Sequence, residues 1–209
     1  MIYSIKRNTS GFTIIELMIA TIVFSVILLI ATYGILNVGR IYRKSLTSNQ
    51  VQQTTRAIID TVTQNIKFNG GSFAAGNNVY CLGNSKRLSI NPNVQFVSNA
   101  THGLVLENIT CTNPPTSLNF ASFPSGAKEL LGPRMRVVNF YICYPNMTPT
   151  PPDCTDSIVQ GLGTSLYYVY IRVISGDSDL IQNNTCTLAA GRQFCAVSEL
   201  SAYVQKVIQ

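Results

Sequence analysis

Between Phe12 and Gly39 the chain reads FTIIELMIATIVFSVILLIATYGILNVG, and Glu16 is the only charged side chain in it. Wound as an α-helix, these 28 residues span about 42 Å at 1.5 Å each, more than the roughly 30 Å of a hydrocarbon core. A helix buried in a soluble core rarely stays apolar on every face for that length. The run therefore predicts a membrane-spanning helix. Its setting is not that of an ordinary secretory signal, which has a shorter apolar stretch followed by a small-x-small cut site. Here a polar leader, MIYSIKRNTSG, comes first, with Lys6 and Arg7 as its basic residues. Charge alone leaves the orientation open, because Lys6 and Arg7 precede the helix while Arg40, Arg43 and Lys44 follow it.

The length, 209 residues, suits one domain or one domain with an appendage. Charged residues make up 11%, against about 25% in an average soluble domain, and the apolar run accounts for much of the deficit. The formal net charge of +6 is scattered along the chain. No basic patch interleaved with aromatics occurs, so nucleic acid is not expected as the main partner. All six cysteines, Cys81, Cys111, Cys143, Cys154, Cys186 and Cys195, lie after the apolar run. None forms a C-x-x-C pair and His102 is the only histidine, so no metal site is expected, and nothing calls for a cofactor. An even cysteine count downstream of a membrane segment reads as disulfides in an oxidising compartment. Of the possible pairings, the sequential one closes the shortest loops: Cys81 to Cys111, Cys143 to Cys154 and Cys186 to Cys195.

Beyond Gly39 the helical pattern continues. Val51, Ile58, Ile59, Val62 and Ile66 recur at helical spacing on a polar background, and Asn69-Gly70-Gly71 ends the helix. This stripe predicts packing against a globular head. The remainder reads as strand and loop. Val94–Val97, Leu104–Thr110, Met135–Tyr144 and Leu166–Ser175 are rich in Val, Ile, Tyr and Phe, and Ser198–Ile208 is assigned as a further strand. Pro145–Pro152 and Thr185–Arg192 read as exposed loops stapled between cysteines. The expected fold class is α+β, a long N-terminal helix packed on an antiparallel sheet. Gly176-Asp177-Ser178-Asp179 offers two carboxylates, few for a calcium ion that takes six to eight oxygens, and reads as a solvated turn. His102 sits before a glycine with no nucleophile motif near it. Asn99 and Asn108 open Asn-x-Ser/Thr sequons that carry little weight. No catalytic constellation stands out, so the chain is not expected to be an enzyme.

Lys6-Arg7, then Gly11, then Phe12-Thr13-Ile14-Ile15-Glu16-Leu17 resembles the class III signal of type IV prepilins. The resemblance covers roughly the first 45 residues. It implies that a membrane aspartyl peptidase cuts between Gly11 and Phe12 and then N-methylates Phe12. Glu16 matches the family's glutamate at the fifth position after the cut. The resemblance further implies a cytoplasmic leader, an extracytoplasmic head, and membrane lipid as the surroundings before assembly. Its partners would be the prepilin peptidase, other pilin subunits and the assembly machinery. The physical chemistry agrees. A glycine lets an extended strand enter a narrow cleft. A carboxylate at membrane depth costs about 2.5–3.5 kcal/mol and needs a partner, which the family finds in the new ammonium of a neighbouring subunit.

The expected organisation is a leader over 1–11, a transmembrane and polymerisation helix over 12–39, its amphipathic continuation over 40–69 and a head over 70–209. Many type IV pilins carry a proline midway along the helix, yet no proline occurs here before Pro92. Either the helix is continuous or Gly34 loosens it. That departure, the large cysteine-rich head, and a likeness of Thr54–Gly70 to the helix end of tip-class subunits point to a minor pilin. A pseudopilin of type II secretion or of a competence system is the alternative. A signal-anchored binding protein or surface enzyme that is never cut is a third reading from another class.

Overall fold

The computed structural model describes residues 11–69, 73–76, 78–97, 101–111, 120, 125–143, 149–150, 153–154, 166–187 and 192–207. The chain divides into two compact units, one ending at Tyr42 and the other running from Arg43 to Gln209. Helix α1 spans Ile14–Phe68 without interruption, and it passes through Gly34 and Gly39, at which an added Cβ would meet nothing within 4 Å. Residues 51–68 of α1 belong to the second unit, where Val51, Ile58, Ile59, Val62 and Ile66 are all buried. Thr55 is buried in the same stripe and donates its hydroxyl to the Val51 carbonyl at 2.7 Å, so no polar atom is stranded there. The helix stops after Phe68. Asn69 donates its N–H to the Asn65 carbonyl and its side-chain amide to Asn65 Oδ1, and the glycines that follow in sequence favour a stop.

Against this stripe lie two antiparallel sheets. The first contains β1 (Phe73–Gly76), β2 (Val79–Leu82), β3 (Lys86–Ile90), β4 (Leu104–Asn108) and β5 (Lys128–Glu129), in that spatial order. The second is built from long strands. After β6 (Met135–Cys143) come a short pair, β7 (Pro149–Thr150) and β8 (Asp153–Cys154), and then β9 (Leu166–Ser175). A small hairpin follows, β10 (Ile181–Gln182) with β11 (Thr185–Cys186), and β12 (Ala196–Gln205) closes the order β12-β9-β6. Alternate residues of β9, Val169, Ile171 and Val173, join Leu82, Leu88 and Leu104 of the first sheet and the stripe of α1 in one core. The residues between them turn the other way, where Tyr170 stacks on Tyr141 with ring centroids 4.6 Å apart. Between Val137 and Asn139 the register of β6 shifts by a bulge. Val138 then joins a satellite cluster with Ile174, Leu180 and Cys195.

Four strand and loop assignments change. Val94–Val97 is not a strand: only Val97 bridges, to Thr101. Pro92 lacks an N–H and Asn93 takes a positive φ of 63°, and both break the pleat. The segment still leans on β6 through Asn93 N–H to Val137 O and Phe96 N–H to Met135 O, both 2.8 Å. The strands β1, β2 and β3 arise where none was expected. The loop expected to begin at Thr185 begins instead with β11, because Asn183 and Asn184 both adopt positive φ and close a two-residue hairpin turn. Within Pro145–Pro152, Pro149–Thr150 pairs with Asp153–Cys154, and the rest of that stretch lies outside the described residues.

Candidate processing and assembly site

Gly11, Phe12 and Thr13 precede the first turn of α1, and all three are exposed. An added Cβ at Gly11 would meet nothing within 4 Å, so the fold itself places no demand for glycine there. Phe12 is 76% exposed. Thr13 is the N-cap: its carbonyl accepts the N–H groups of Glu16 and Leu17 at 3.1 and 3.2 Å. Its hydroxyl oxygen accepts the Glu16 N–H at 3.3 Å, and the Glu16 carboxylate accepts the Thr13 N–H at 3.4 Å and the Thr13 hydroxyl at 3.3 Å. This reciprocal pattern is a capping box, Thr-x-x-Glu, which satisfies donors at a helix start. A carboxylate in the first turn also meets the positive end of the helix dipole. Thr13 is thus a site residue that sequence reasoning passed over. Its signal was legible as threonine followed three residues later by glutamate at the head of an apolar run.

From Ile14 to Tyr42 every residue is exposed, including Phe24 at 62% and Leu29 at 72%. This is a helix long and apolar enough to cross a membrane. Its hydroxyls suit hydrocarbon. Thr21, Ser25 and Thr32 each donate back to a carbonyl three or four residues earlier, at 2.8–2.9 Å, so these three hydroxyls are satisfied within the helix itself. Lys6 and Arg7 of the leader lie outside the described residues.

In the second unit, Cys81 is bonded to Cys111 and Cys186 to Cys195. Cys143 is disulfide-bonded and buried, while the side chain of its expected partner Cys154 lies outside the described residues. His102 is not alone in a turn: its Nδ1 lies 3.3 Å from Glu129, and both are largely buried. The Glu129 carboxylate accepts the backbone N–H groups of Gly103, Leu104 and Leu131 at 3.0–3.1 Å. Burial nevertheless raises its pKa, against the lowering effect of those amides and of His102. The cluster tethers the loops flanking β4 and β5. No nucleophile contacts it among the described residues. Asp177 lies 3.7 Å from Arg134 in an exposed pair, and Asp179 is in a one-turn 3-10 helix. Among the described residues no three acidic, cysteine or histidine side chains gather as metal ligands.

Residues 6–32 match the prokaryotic N-terminal methylation motif, the class III signal peptide of type IV pilins. No curated protein and no solved structure matches the chain. The N-terminus is therefore type IV pilin-like, and the motif points to a structural subunit that is processed by a prepilin peptidase and assembles with other pilins.

Proposed function

We propose that this chain is a minor pilin of a type IV pilus, serving pilus assembly or tip function. The carrying observation is a coincidence at one helix start: a glycine the fold does not need, an exposed phenylalanine, a glutamate in the first turn, and a helix apolar on all faces behind it. In this reading the prepilin peptidase cuts between Gly11 and Phe12, and the leader departs with Lys6 and Arg7. Phe12 is then N-methylated. The helix holds the subunit in the cytoplasmic membrane with residues 70–209 outside, where an oxidising compartment would keep the disulfides formed. Glu16 pairs with the Phe12 ammonium of an adjacent subunit as the chain enters the filament, and this match sets the axial register.

Minor status is supported by the disulfide-stapled head and by a helix that runs unbroken through Gly34. The unbroken helix favours a pseudopilin equally, and the assembled structure in which the chain is recovered separates the two. The test is mass spectrometry of the mature N-terminus. The expected product starts at Phe12 with one added methyl, its net charge lowered from +6 by the two lost cations. An intact leader on filament-borne protein would overturn the reading. Glu16→Ala and Glu16→Gln should leave membrane insertion and cleavage intact while depleting the chain from sheared filaments. A weak effect here beside a strong one for the same change in the major subunit would mark this chain as the tip.

A further inference from the structure

Arg40, Arg43 and Lys44 closely follow the apolar run in sequence. Within the second unit, the head brings residues of its own to this point. The loop closed by the Cys186–Cys195 disulfide lies against α1. The Thr47 hydroxyl donates to the Gln193 carbonyl at 3.5 Å, and the Arg43 guanidinium stands over the Phe194 ring, 5.9 Å from its centroid. Lys44 and Ser48 line a hollow with Cys186 and Cys195. The loop is firmly seated, since Cys195 is buried and packs with Val138, Ile174 and Leu180. What remains at the surface is a patch of mixed character. Arg43 and Lys44 are exposed cations, while Phe194 at 41% and Leu46 at 51% are exposed apolar side chains.

Water suits the cations of this patch and not its apolar members, and a protein interior suits the reverse. The boundary of a bilayer suits both, because phosphates meet Lys and Arg while Phe and Leu enter the acyl boundary beneath them. The position fits as well. The 28-residue run spans about 42 Å, close to the roughly 40–45 Å of a bilayer with its headgroups. Arg43 stands about 6 Å beyond Gly39 along the helix, close enough for its side chain to reach back to the phosphates. Phe194 is held to Arg43 and so stays at that level. We infer that Arg43, Lys44, Leu46 and Phe194 form a membrane-surface contact that takes anionic phospholipid headgroups and holds the head at the bilayer before assembly. The inference rests on the reading of the apolar run as a membrane span, and it is the same for a pilin and a pseudopilin.

The chain has no tryptophan, so Phe194→Trp places a single reporter in the patch. The full chain is reconstituted in vesicles of phosphatidylcholine, alone or mixed with phosphatidylglycerol, that carry a nitroxide quencher at headgroup depth. Tyr203→Trp is the reference, since Tyr203 is exposed and shares a groove with Lys67, about 36 Å further along α1 than Arg43. Phe194→Trp should be quenched, and more so with phosphatidylglycerol, while Tyr203→Trp should not. Leu46→Trp repeats the measurement without altering the loop and should also be quenched. Lys44→Gln, which leaves Arg43 and Phe194 in contact, should lower the ratio of quenched to unquenched reporter about fivefold in the anionic vesicles; an unchanged ratio would refute the anionic headgroup as ligand. Quenching of Leu46→Trp alone would overturn the part given to the loop. Equal quenching at position 203 would mean that the whole head adsorbs, and a blue shift without quenching would mean that protein covers the patch; either overturns the contact. No quenching at 46 or 194, in a chain that resists alkaline extraction from the vesicles, would overturn the contact and leave the span standing. Release of the chain by alkali would overturn both.

Discussion

Ile58→Ala tests whether the second half of α1 is held by its apolar stripe. Ile58 is 1% exposed within the core shared by both sheets and the helix. The substitution deletes three carbons. At about 0.8 kcal/mol per methylene the transfer loss is about 2.4 kcal/mol, and the unfilled cavity raises the expected cost to about 2.5–4 kcal/mol. A typical domain is stable by about 5–15 kcal/mol, so the shift is large. The control is Ile35→Ala on the same helix, where Ile35 is 73% exposed. Both changes gain the same helix propensity, so their difference isolates burial. The assay is urea unfolding of the full chain in detergent micelles with its disulfides intact, followed by tyrosine fluorescence, since the chain has ten tyrosines and no tryptophan. Ile35→Ala should leave the head's midpoint unchanged. A cost below about 1 kcal/mol for Ile58→Ala, or an equal cost at both positions, would refute the docking of the stripe.

The two described disulfides should differ in worth: loop-closure entropy gives about 2.7 kcal/mol for Cys186–Cys195 and about 3.7 kcal/mol for Cys81–Cys111, and paired Cys→Ser variants compared by urea unfolding check the order. Arg87 and Glu107 face each other across β3 and β4, joined at 2.6 Å and both largely buried. Arg87→Met alone should cost about 3–5 kcal/mol by stranding the carboxylate, whereas Arg87→Met with Glu107→Leu should recover most of it. For Glu129 the native pKa lies above its ordinary value of 4.5 because of burial. The native state therefore holds its proton to higher pH than the unfolded state, and this group's contribution to stability falls as pH rises from 4.5 through the native pKa. Glu129→Gln should remove that slope, and a pH series of unfolding midpoints reads it.

The parts of the fold that were legible in the sequence are those whose signal is periodic and long. The apolar run and the stripe from Val51 to Ile66 need only helical spacing to be seen, and Leu166–Ser175 carries enough β-branched and aromatic side chains to be read as a strand, though its central place in the sheet is not legible there. The first sheet was hidden for the opposite reason. KRLSI and VYCL are four- and five-residue segments whose burial comes from pairing with one another and not from their own pattern. The buried Arg87–Glu107 and His102–Glu129 pairs are likewise invisible in one dimension, because their members stand 20 and 27 residues apart. Val94–Val97 misled because its composition suits a strand, while Pro92 and Asn93 set the backbone against one.

The capping box sharpens the case for the role proposed for Glu16. A carboxylate carried to membrane depth costs about 2.5–3.5 kcal/mol. An N-cap interaction returns about 1 kcal/mol, and the three hydrogen bonds between Thr13 and Glu16 that involve a side chain, all 3.3–3.4 Å, are at the long end. The cap therefore offsets the cost only in part, and the carboxylate retains capacity for a stronger partner. A charge-assisted bond to an ammonium is roughly twice as strong as a neutral one. Cleavage after Gly11 would create such an ammonium at Phe12, one residue from the Thr13 N–H that already points at the Glu16 carboxylate. The same geometry that starts the helix in the uncut chain would thus orient the carboxylate toward incoming amines afterwards. Thr13→Val, which keeps the shape and removes the hydroxyl, should leave cleavage unchanged and weaken filament entry less than Glu16→Ala does. Equal effects would mean that the cap, and not the charge, is what assembly requires.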